Sequence, residues 1–211
     1  MSVAVKICGL RDPAAVEAAV EAGAEFIGFV FAPSPRRVAP EEAAALRRRV
    51  PRGGPQIVGV FVNEAPATVR AIADTVGLDI VQLCGAESPQ AEWGRPVIRA
   101  IRPAGRIPWR ALAPWVAGGA RLLVDSFKPG TFGGSGELGD WGLAARIARR
   151  WPILLAGGLR PDNVAAAIAA VRPWGVDVSS GVETAGRKDP AKIRAFVDQA
   201  RAAFPKEGER R

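Results

Sequence analysis

Histidine and tyrosine are both missing from this chain of 211 residues, which also contains only two cysteines and one methionine. Histidine is the side chain that most often transfers protons near neutral pH. An acid–base enzyme built from this sequence must therefore use carboxylates, lysines or thiols. The two cysteines, Cys8 and Cys84, lie in apolar runs typical of strands and their spacing fits no zinc site, so we expect reduced thiols and no metal.

Long apolar runs are missing as well. No stretch approaches the roughly 18 residues needed to span a bilayer, and the N-terminus lacks the basic segment and apolar core of a secretory signal. With 24% charged residues and a mean hydropathy of +0.08, the composition is typical of a globular protein. We therefore expect a cytoplasmic protein with no membrane partner.

The net charge of +8 raises the question of a nucleic-acid partner. The arginines, however, form helical patches, such as residues 47–49 and 149–150, that alternate with acidic helices. This pattern is typical of solvated helix faces, and we expect no nucleic-acid partner. A positive field does favour the capture of an anionic small-molecule substrate.

Short β-rich runs alternate with alanine-rich helical patterns along the whole chain, which indicates a parallel sheet covered by helices. Eight units of about 26 residues each account for the length, so we predict a single-domain (β/α)8 TIM barrel over residues 1–205 and a charged tail over 206–211. An open doubly wound sheet is the alternative, but its GxGxxG fingerprint is missing after the first strand. The strands are predicted at 3–8, 25–31, 56–62, 79–84, 96–101, 121–125, 152–157 and 176–180.

Two details refine this prediction. Gly23 and Gly77 each follow a helical pattern, and an acidic residue, Glu25 or Asp79, then opens the next strand, which is a weak internal repeat. The segment SPQAEWGRP in the fourth unit is short and bounded by prolines, so its helix is the least supported of the series.

Reactive groups of a barrel of this type stand at the C-terminal ends of the strands. Cys8 ends the first strand, where it is either a catalytic thiol or a small buried hydrophobe. Asp125 ends the sixth, either as a carboxyl whose pKa is raised by burial or as a loop-bracing residue. Lys6 shares the strand face of Cys8, and as a buried cation it needs Asp177 or Asp125 as its partner.

Glycine-rich turns follow the last two predicted strands. AGGL (156–159) and SSGVE (179–183) expose backbone N–H groups that can cradle a phosphate, where barrels of this kind often bind one. The alternative is that both are ordinary tight turns, but two of them on neighbouring strands favour the phosphate site.

A series of motifs resembles the phosphoribosylanthranilate isomerase family of tryptophan biosynthesis, and the resemblance covers roughly residues 4–197. The motifs occur in the order KICG, GFVF with SPR, GVFVN, VQLCGAE, VD with GGSG and DW, AGGL with PDNV, and VDVSSGVE. The resemblance implies an Amadori rearrangement of an anionic phosphosugar, N-(5-phosphoribosyl)anthranilate, without a cofactor or a metal. The protein would be a monomer or a homodimer.

The same resemblance implies roles for individual residues. Cys8 would be the general base and Asp125 the general acid, and Arg36 would hold the anthranilate carboxylate unless a one-residue shift gives that role to Arg37. Asp177 would contact a sugar hydroxyl or pair with Lys6. The phosphate would lie on Gly157, Gly158, Ser180 and Gly181.

The sequence departs from the family pattern at three places. The loop FAPSPRR is one residue shorter than is common, which bears on the choice between Arg36 and Arg37. Cys84 stands where many relatives have histidine, and Gly139 stands where relatives tend to have an aromatic residue before Asp140 and Trp141. Two other functions stay open. One is a different aminoaldose isomerase, such as that of the histidine pathway, and the other is a non-catalytic phosphometabolite-binding regulator on a barrel scaffold.

Overall fold

Eight parallel strands close into a barrel in the computed structural model, which describes residues 3–103, 105–125 and 140–203. Each strand pairs with the next along the chain, and the first pairs with the last. The predicted (β/α)8 barrel is therefore confirmed. The strands are β1 (Ala4–Cys8), β2 (Phe26–Val30), β3 (Gln56–Phe61), β4 (Ile80–Leu83), β5 (Val97–Ile101), β6 (Arg121–Asp125), β7 (Ile153–Ala156) and β8 (Gly175–Val178).

Helices follow most of the strands and cover the outside of the barrel. Residues 84–96 between β4 and β5, all of which the structure describes, contain no helix, so the prediction of a helix in the fourth unit is wrong. That segment is too short between its prolines to form one. The helices are α1 (Pro13–Glu21), α2 (Pro40–Arg47), α3 (Pro66–Val76), α4 (Trp109–Ala117), α5 (Trp141–Ala148), α6 (Val164–Val171) and α7 (Pro190–Ala202).

Local sequence explains where the helices begin and end. Proline occupies the first turn of α1, α2, α3 and α7, where its missing N–H costs nothing. The side chains of Asp12, Asp140 and Asp189 cap α1, α5 and α7. Gly77 ends α3 with a φ of +73°, a left-handed conformation that favours glycine.

The internal repeat has a structural basis. Glu25, which precedes β2, accepts a hydrogen bond from the amide of Val5 at 2.7 Å, and Asp79, which precedes β4, accepts one from Ile57 at 2.7 Å. Each carboxylate thus accepts a hydrogen bond from a backbone amide near the start of the neighbouring strand, β1 for Glu25 and β3 for Asp79. The short hairpin of β9 (Glu183–Thr184) and β10 (Arg187–Lys188) follows a 3-10 helix at Ser180–Val182.

Every second side chain along each strand points into the barrel interior and fills it. Ala4, Phe26, Ile80, Leu123 and Leu154 belong to this inner cluster. Because side chains alternate along a strand, the residues two positions further toward the C-terminal end also face inward. This places Lys6 above Ala4 and Asp125 above Leu123.

Several parts of the sequence prediction fall outside the described residues. The GGSG motif and Gly139 lie in 126–139, and the charged tail lies in 204–211, so the division of the chain at residue 205 stays a prediction. Within the described ranges, no helix combines the length and the apolar character needed to cross a bilayer.

Candidate active site

Cys8 and Lys6 lie on the inner face of β1 at the C-terminal mouth of the barrel. Cys8 is 7% exposed and Lys6 is completely buried. The Nζ atom of Lys6 lies 2.8 Å from Oδ1 of Asp177, its register partner on β8. Of the two carboxylates that the sequence left open as partners of Lys6, the structure thus pairs Asp177 with it.

Gly28 on β2 leaves the space in which the thiol and the ammonium group meet. A methyl group at this position would lie 2.9 Å from Sγ of Cys8 and 3.2 Å from Nζ of Lys6. Both atoms therefore border the same small volume, within about 6 Å of each other. A larger residue at position 28 would displace them.

The charges at this rim are coupled. Burial raises the pKa of the Cys8 thiol, the charge of Lys6 acts in the opposite direction, and Asp177 raises the pKa further. Burial alone would lower the pKa of Lys6, but the charges of Asp177 and Cys8 outweigh burial and raise it. Lys6 is therefore a permanent cation next to a thiol whose ionisation depends on it.

Replacing Asp177 with asparagine is expected to destabilise the fold by about 3–5 kcal/mol, because the buried Lys6 ammonium would lose its counter-charge. Urea denaturation of the purified variant measures this loss. The double variant Lys6→Met/Asp177→Asn should recover most of it, since no buried charge remains unpaired. Wild-type stability of the single variant would show that the buried ammonium group of Lys6 does not need the charge of Asp177.

Asp125 ends β6 at the same mouth of the barrel. Its side chain is 25% exposed, and Nη2 of Arg102 lies 2.5 Å from its Oδ2. The Asp125 side chain is therefore less buried than the sequence suggested. Its partner Arg102, just after β5, is itself exposed. The placement at the strand end agrees with the sequence prediction.

Arg36, in the loop after β2, lies over Gly9, the residue that follows Cys8: a methyl group at Gly9 would be 2.6 Å from its Cδ atom. Its Nε and Nη2 atoms donate to Glu183 at 2.6 and 2.8 Å. Nη1 makes no hydrogen bond to any described residue, so one edge of the guanidinium is available to a ligand. Arg37 is exposed.

Glu183 and Lys188 complete this corner, and the sequence reasoning missed both. Nζ of Lys188 lies 2.8 Å from Oε1 of Glu183 and 2.8 Å from the carbonyl oxygen of Ser179. The hydrogen bond from Arg36 lowers the pKa of Glu183 to about 2, against the effect of burial and with help from Lys188. The sequence signal that could have identified Glu183 is its place as the carboxylate that ends the motif VDVSSGVE.

The two glycine-rich turns lie against each other. A methyl group at Gly181 would fall 1.8 Å from the carbonyl oxygen of Leu159, so only glycine fits between the two loops. The backbone is left-handed at Gly157 and Gly158. None of the amides of these two residues, Ser180 or Gly181 donates to another described residue. The two adjoining turns thus leave several backbone N–H groups available, and such groups can bind phosphate.

Cys84 stands at the end of β4 on the opposite side of the mouth and is exposed to solvent. Its thiol accepts a hydrogen bond from Nε2 of Gln82 at 3.4 Å. The surrounding barrel wall desolvates this thiol although water reaches the residue, and its pKa is raised to about 11. Cys84 is therefore protonated near neutral pH. In the described ranges, no group of three Cys, Asp or Glu residues is arranged to hold a metal ion.

Comparisons with known proteins agree with this arrangement. A family model described as "N-(5'phosphoribosyl)anthranilate (PRA) isomerase" matches residues 5–199. The N-(5'-phosphoribosyl)anthranilate isomerase of Desulforudis audaxviator is 49% identical over 210 residues, which is 95% of this chain and 98% of that protein. The one of Roseiflexus sp. is 50% identical over 208 residues, which is 94% and 98% of the two chains.

Solved structures are similar as well. The phosphoribosyl anthranilate isomerase of Thermotoga maritima superposes with a TM-score of 0.83 at 38% identity, over 95% of this chain and 99% of that chain. A second isomerase structure contains reduced 1-(o-carboxyphenylamino)-1-deoxyribulose 5-phosphate. It has a TM-score of 0.79 at 36% identity, with 95% and 99% coverage.

Proposed function

This chain belongs to the N-(5'-phosphoribosyl)anthranilate isomerase family, and we propose that it catalyses the family's aldose–ketose isomerisation with Cys8 as general base and Asp125 as general acid. The reaction is the Amadori rearrangement of N-(5'-phosphoribosyl)anthranilate in tryptophan biosynthesis. The observation that carries the proposed roles is geometric. Cys8 and Asp125 are each the last residue of a strand, and both side chains face inward at the same mouth of the barrel.

The proposed sequence of steps uses one proton donor and one acceptor. Asp125 donates a proton to the furanose ring oxygen as the bond from that oxygen to C1 breaks, which leaves a protonated Schiff base between C1 and the anthranilate nitrogen. The Cys8 thiolate then removes the proton from C2, and the electron pair forms the C1–C2 double bond of an aminoenol. Tautomerisation gives the ketone at C2 and an amine at C1.

Three further contacts are proposed to bind the substrate. The open edge of Arg36 holds the anthranilate carboxylate, because a guanidinium matches a carboxylate with two parallel hydrogen bonds. The amides of Gly157, Gly158, Ser180 and Gly181 bind the phosphate. Asp177 accepts from a sugar hydroxyl through Oδ2, since Lys6 occupies Oδ1.

The proposed setting follows from the reaction. Its substrate is a soluble anionic phosphosugar of amino-acid biosynthesis, so we propose that the protein acts in the cytoplasm, without nucleic acid or membrane as a partner. It would act as a monomer or a homodimer. One of the related solved structures describes the Thermotoga maritima protein as dimeric.

The direct test mixes the purified protein with freshly prepared phosphoribosylanthranilate and follows the decay of substrate fluorescence. Turnover that depends on protein concentration supports the proposal. Binding of the substrate without decay would instead favour the non-catalytic regulator. Turnover of the histidine-pathway aminoaldose, measured separately, without turnover of phosphoribosylanthranilate would favour the other isomerase.

Replacing Arg36 with methionine is expected to raise KM roughly 10- to 100-fold with a smaller effect on kcat. The variant loses a charge-assisted hydrogen-bond pair of about 1.5–3 kcal/mol, and 1.4 kcal/mol corresponds to a factor of ten. Steady-state kinetics of Arg36→Met and of the neighbouring Arg37→Met measure the effect. The control should keep a wild-type KM, and the reverse result would assign the carboxylate to Arg37.

A further inference from the structure

Cys8 must lose its proton before it can act as a base, and its position opposes that loss. Burial raises the pKa of the thiol. Among the described residues, four charged groups face the thiol: Lys6 from its own strand, Asp177 from β8, Lys188 from β10 and Arg36 from the loop after β2. Arg36 and Lys188 both bind Glu183, so much of their charge is neutralised there.

The pair of Lys6 and Asp177 has no evident benefit for the stability of the barrel. Taking two charges out of water is costly, and well-packed apolar residues in their place are often as stable or more so. The inner positions just below this pair are indeed apolar, for example Ala4 on β1 and Phe26 on the adjoining strand β2. A buried cation directly above this apolar layer therefore needs another explanation, and the nearest reactive group is the thiol two residues further along.

We propose that Lys6 is a positioning residue for the reaction, whose ammonium group stabilises the thiolate of Cys8 while Asp177 holds that ammonium group in place. This inference rests on the proposed function, which requires the thiolate. Lys6 fits the task because it is fully buried, is fixed at 2.8 Å by Asp177 and shares with Sγ of Cys8 the space that Gly28 leaves open. An ammonium group so enclosed is screened much less than an exposed one.

The two partners act on the thiol with opposite signs, which makes the inference testable. Lys6 favours the thiolate and Asp177 disfavours it, and Lys6, whose Nζ shares the space at Gly28 with Sγ of Cys8, is the stronger influence. Removing both charges should therefore raise the pKa of the thiol, because the stronger of the two opposing influences is lost together with the weaker one. Removing Asp177 alone should lower it, because the thiolate then becomes the main partner of Lys6.

The experiment titrates Cys8 by the ultraviolet absorbance of the thiolate. The background is Cys84→Ser, so that the only remaining thiol gives the signal, and the chain contains no tyrosine whose ionisation would overlap with it. Lys6→Met/Asp177→Asn is the main variant because it leaves no buried charge unpaired, and Asp177→Asn is the second. Arg52→Met, which removes an exposed positive charge from the loop before β3, is the control and should leave the titration unchanged.

Kinetics of the same proteins supply a second measurement. The double variant should lose kcat at neutral pH, by about tenfold for each unit by which the titration shows the pKa of the thiol to rise, and regain much of it as the pH rises. A merely structural role would lower kcat equally at every pH. An unchanged thiol titration in the double variant, or a raised pKa in Asp177→Asn, would overturn the inference. Absence of turnover in the parent protein would overturn the proposed function alone, since the titration needs no substrate.

Discussion

Replacing Cys8 with serine is expected to reduce kcat by about 10²- to 10⁴-fold, the usual contribution of one positioned proton transfer. Serine is nearly the same size as cysteine, so the packing against Gly28 and the barrel wall is preserved. Its hydroxyl group is far less acidic than a thiol, however, and Lys6 does not ionise it near neutral pH. The loss should therefore appear in kcat, while KM changes little because Cys8 is not proposed to hold the substrate.

Cys84→Ser is the matched control for this prediction. It makes the same change at the end of β4, where the thiol accepts a hydrogen bond from Gln82 that a serine hydroxyl can also accept. The control should keep most of the wild-type turnover. Fluorescence-monitored kinetics of the two variants measure the difference. A positioned base should contribute more than about tenfold. If Cys8→Ser kept more than about a tenth of the wild-type kcat, Cys8 would therefore not be the base.

The sequence predicted the barrel well because its signals are local. Each strand is a short β-rich run, and proline or aspartate marks the start of several helices. The fourth unit was the exception, since its prolines and its length leave no room for a helix. The residues at the ends of the strands could be named in advance because the C-terminal ends of parallel strands meet at one mouth.

The ion pairs of the site were only partly predictable. The sequence indicated that Lys6 needs a carboxylate but left two candidates, because the choice depends on the register between β1 and β8, which are 171 residues apart for this pair. Glu183 was missed altogether: its partner Arg36 is 147 residues away, and its other partner, Lys188, faces it only because β9 and β10 form a hairpin. The pairing of Asp125 with Arg102 depends likewise on the adjacency of β5 and β6. Contacts between distant segments carry no periodic signal, so only the folded chain reveals them.

The contact between Arg102 and Asp125 bears on how the acid works. A carboxylate held by a guanidinium at 2.5 Å is an acceptor, and it must take up a proton before it can donate one to the ring oxygen. Arg102 is 59% exposed, so solvent screens its charge and the pair costs little to separate. We therefore expect the substrate to replace Arg102 at this carboxyl during the reaction.

Replacing Asp125 with asparagine should lower kcat by about 10²- to 10⁴-fold, because an amide has the shape of the carboxyl but its N–H protons are far too weakly acidic to be transferred to the ring oxygen. The substrate would then bind in its closed furanose form and open slowly. Steady-state kinetics measure the loss, and circular dichroism checks that the barrel is intact. Asp74→Asn is the matched control: it breaks a similar exposed aspartate–arginine pair, with Arg95 on the outer surface at 2.7 Å, and should leave kcat unchanged. A kcat for Asp125→Asn within tenfold of the wild type would show that another group protonates the ring oxygen.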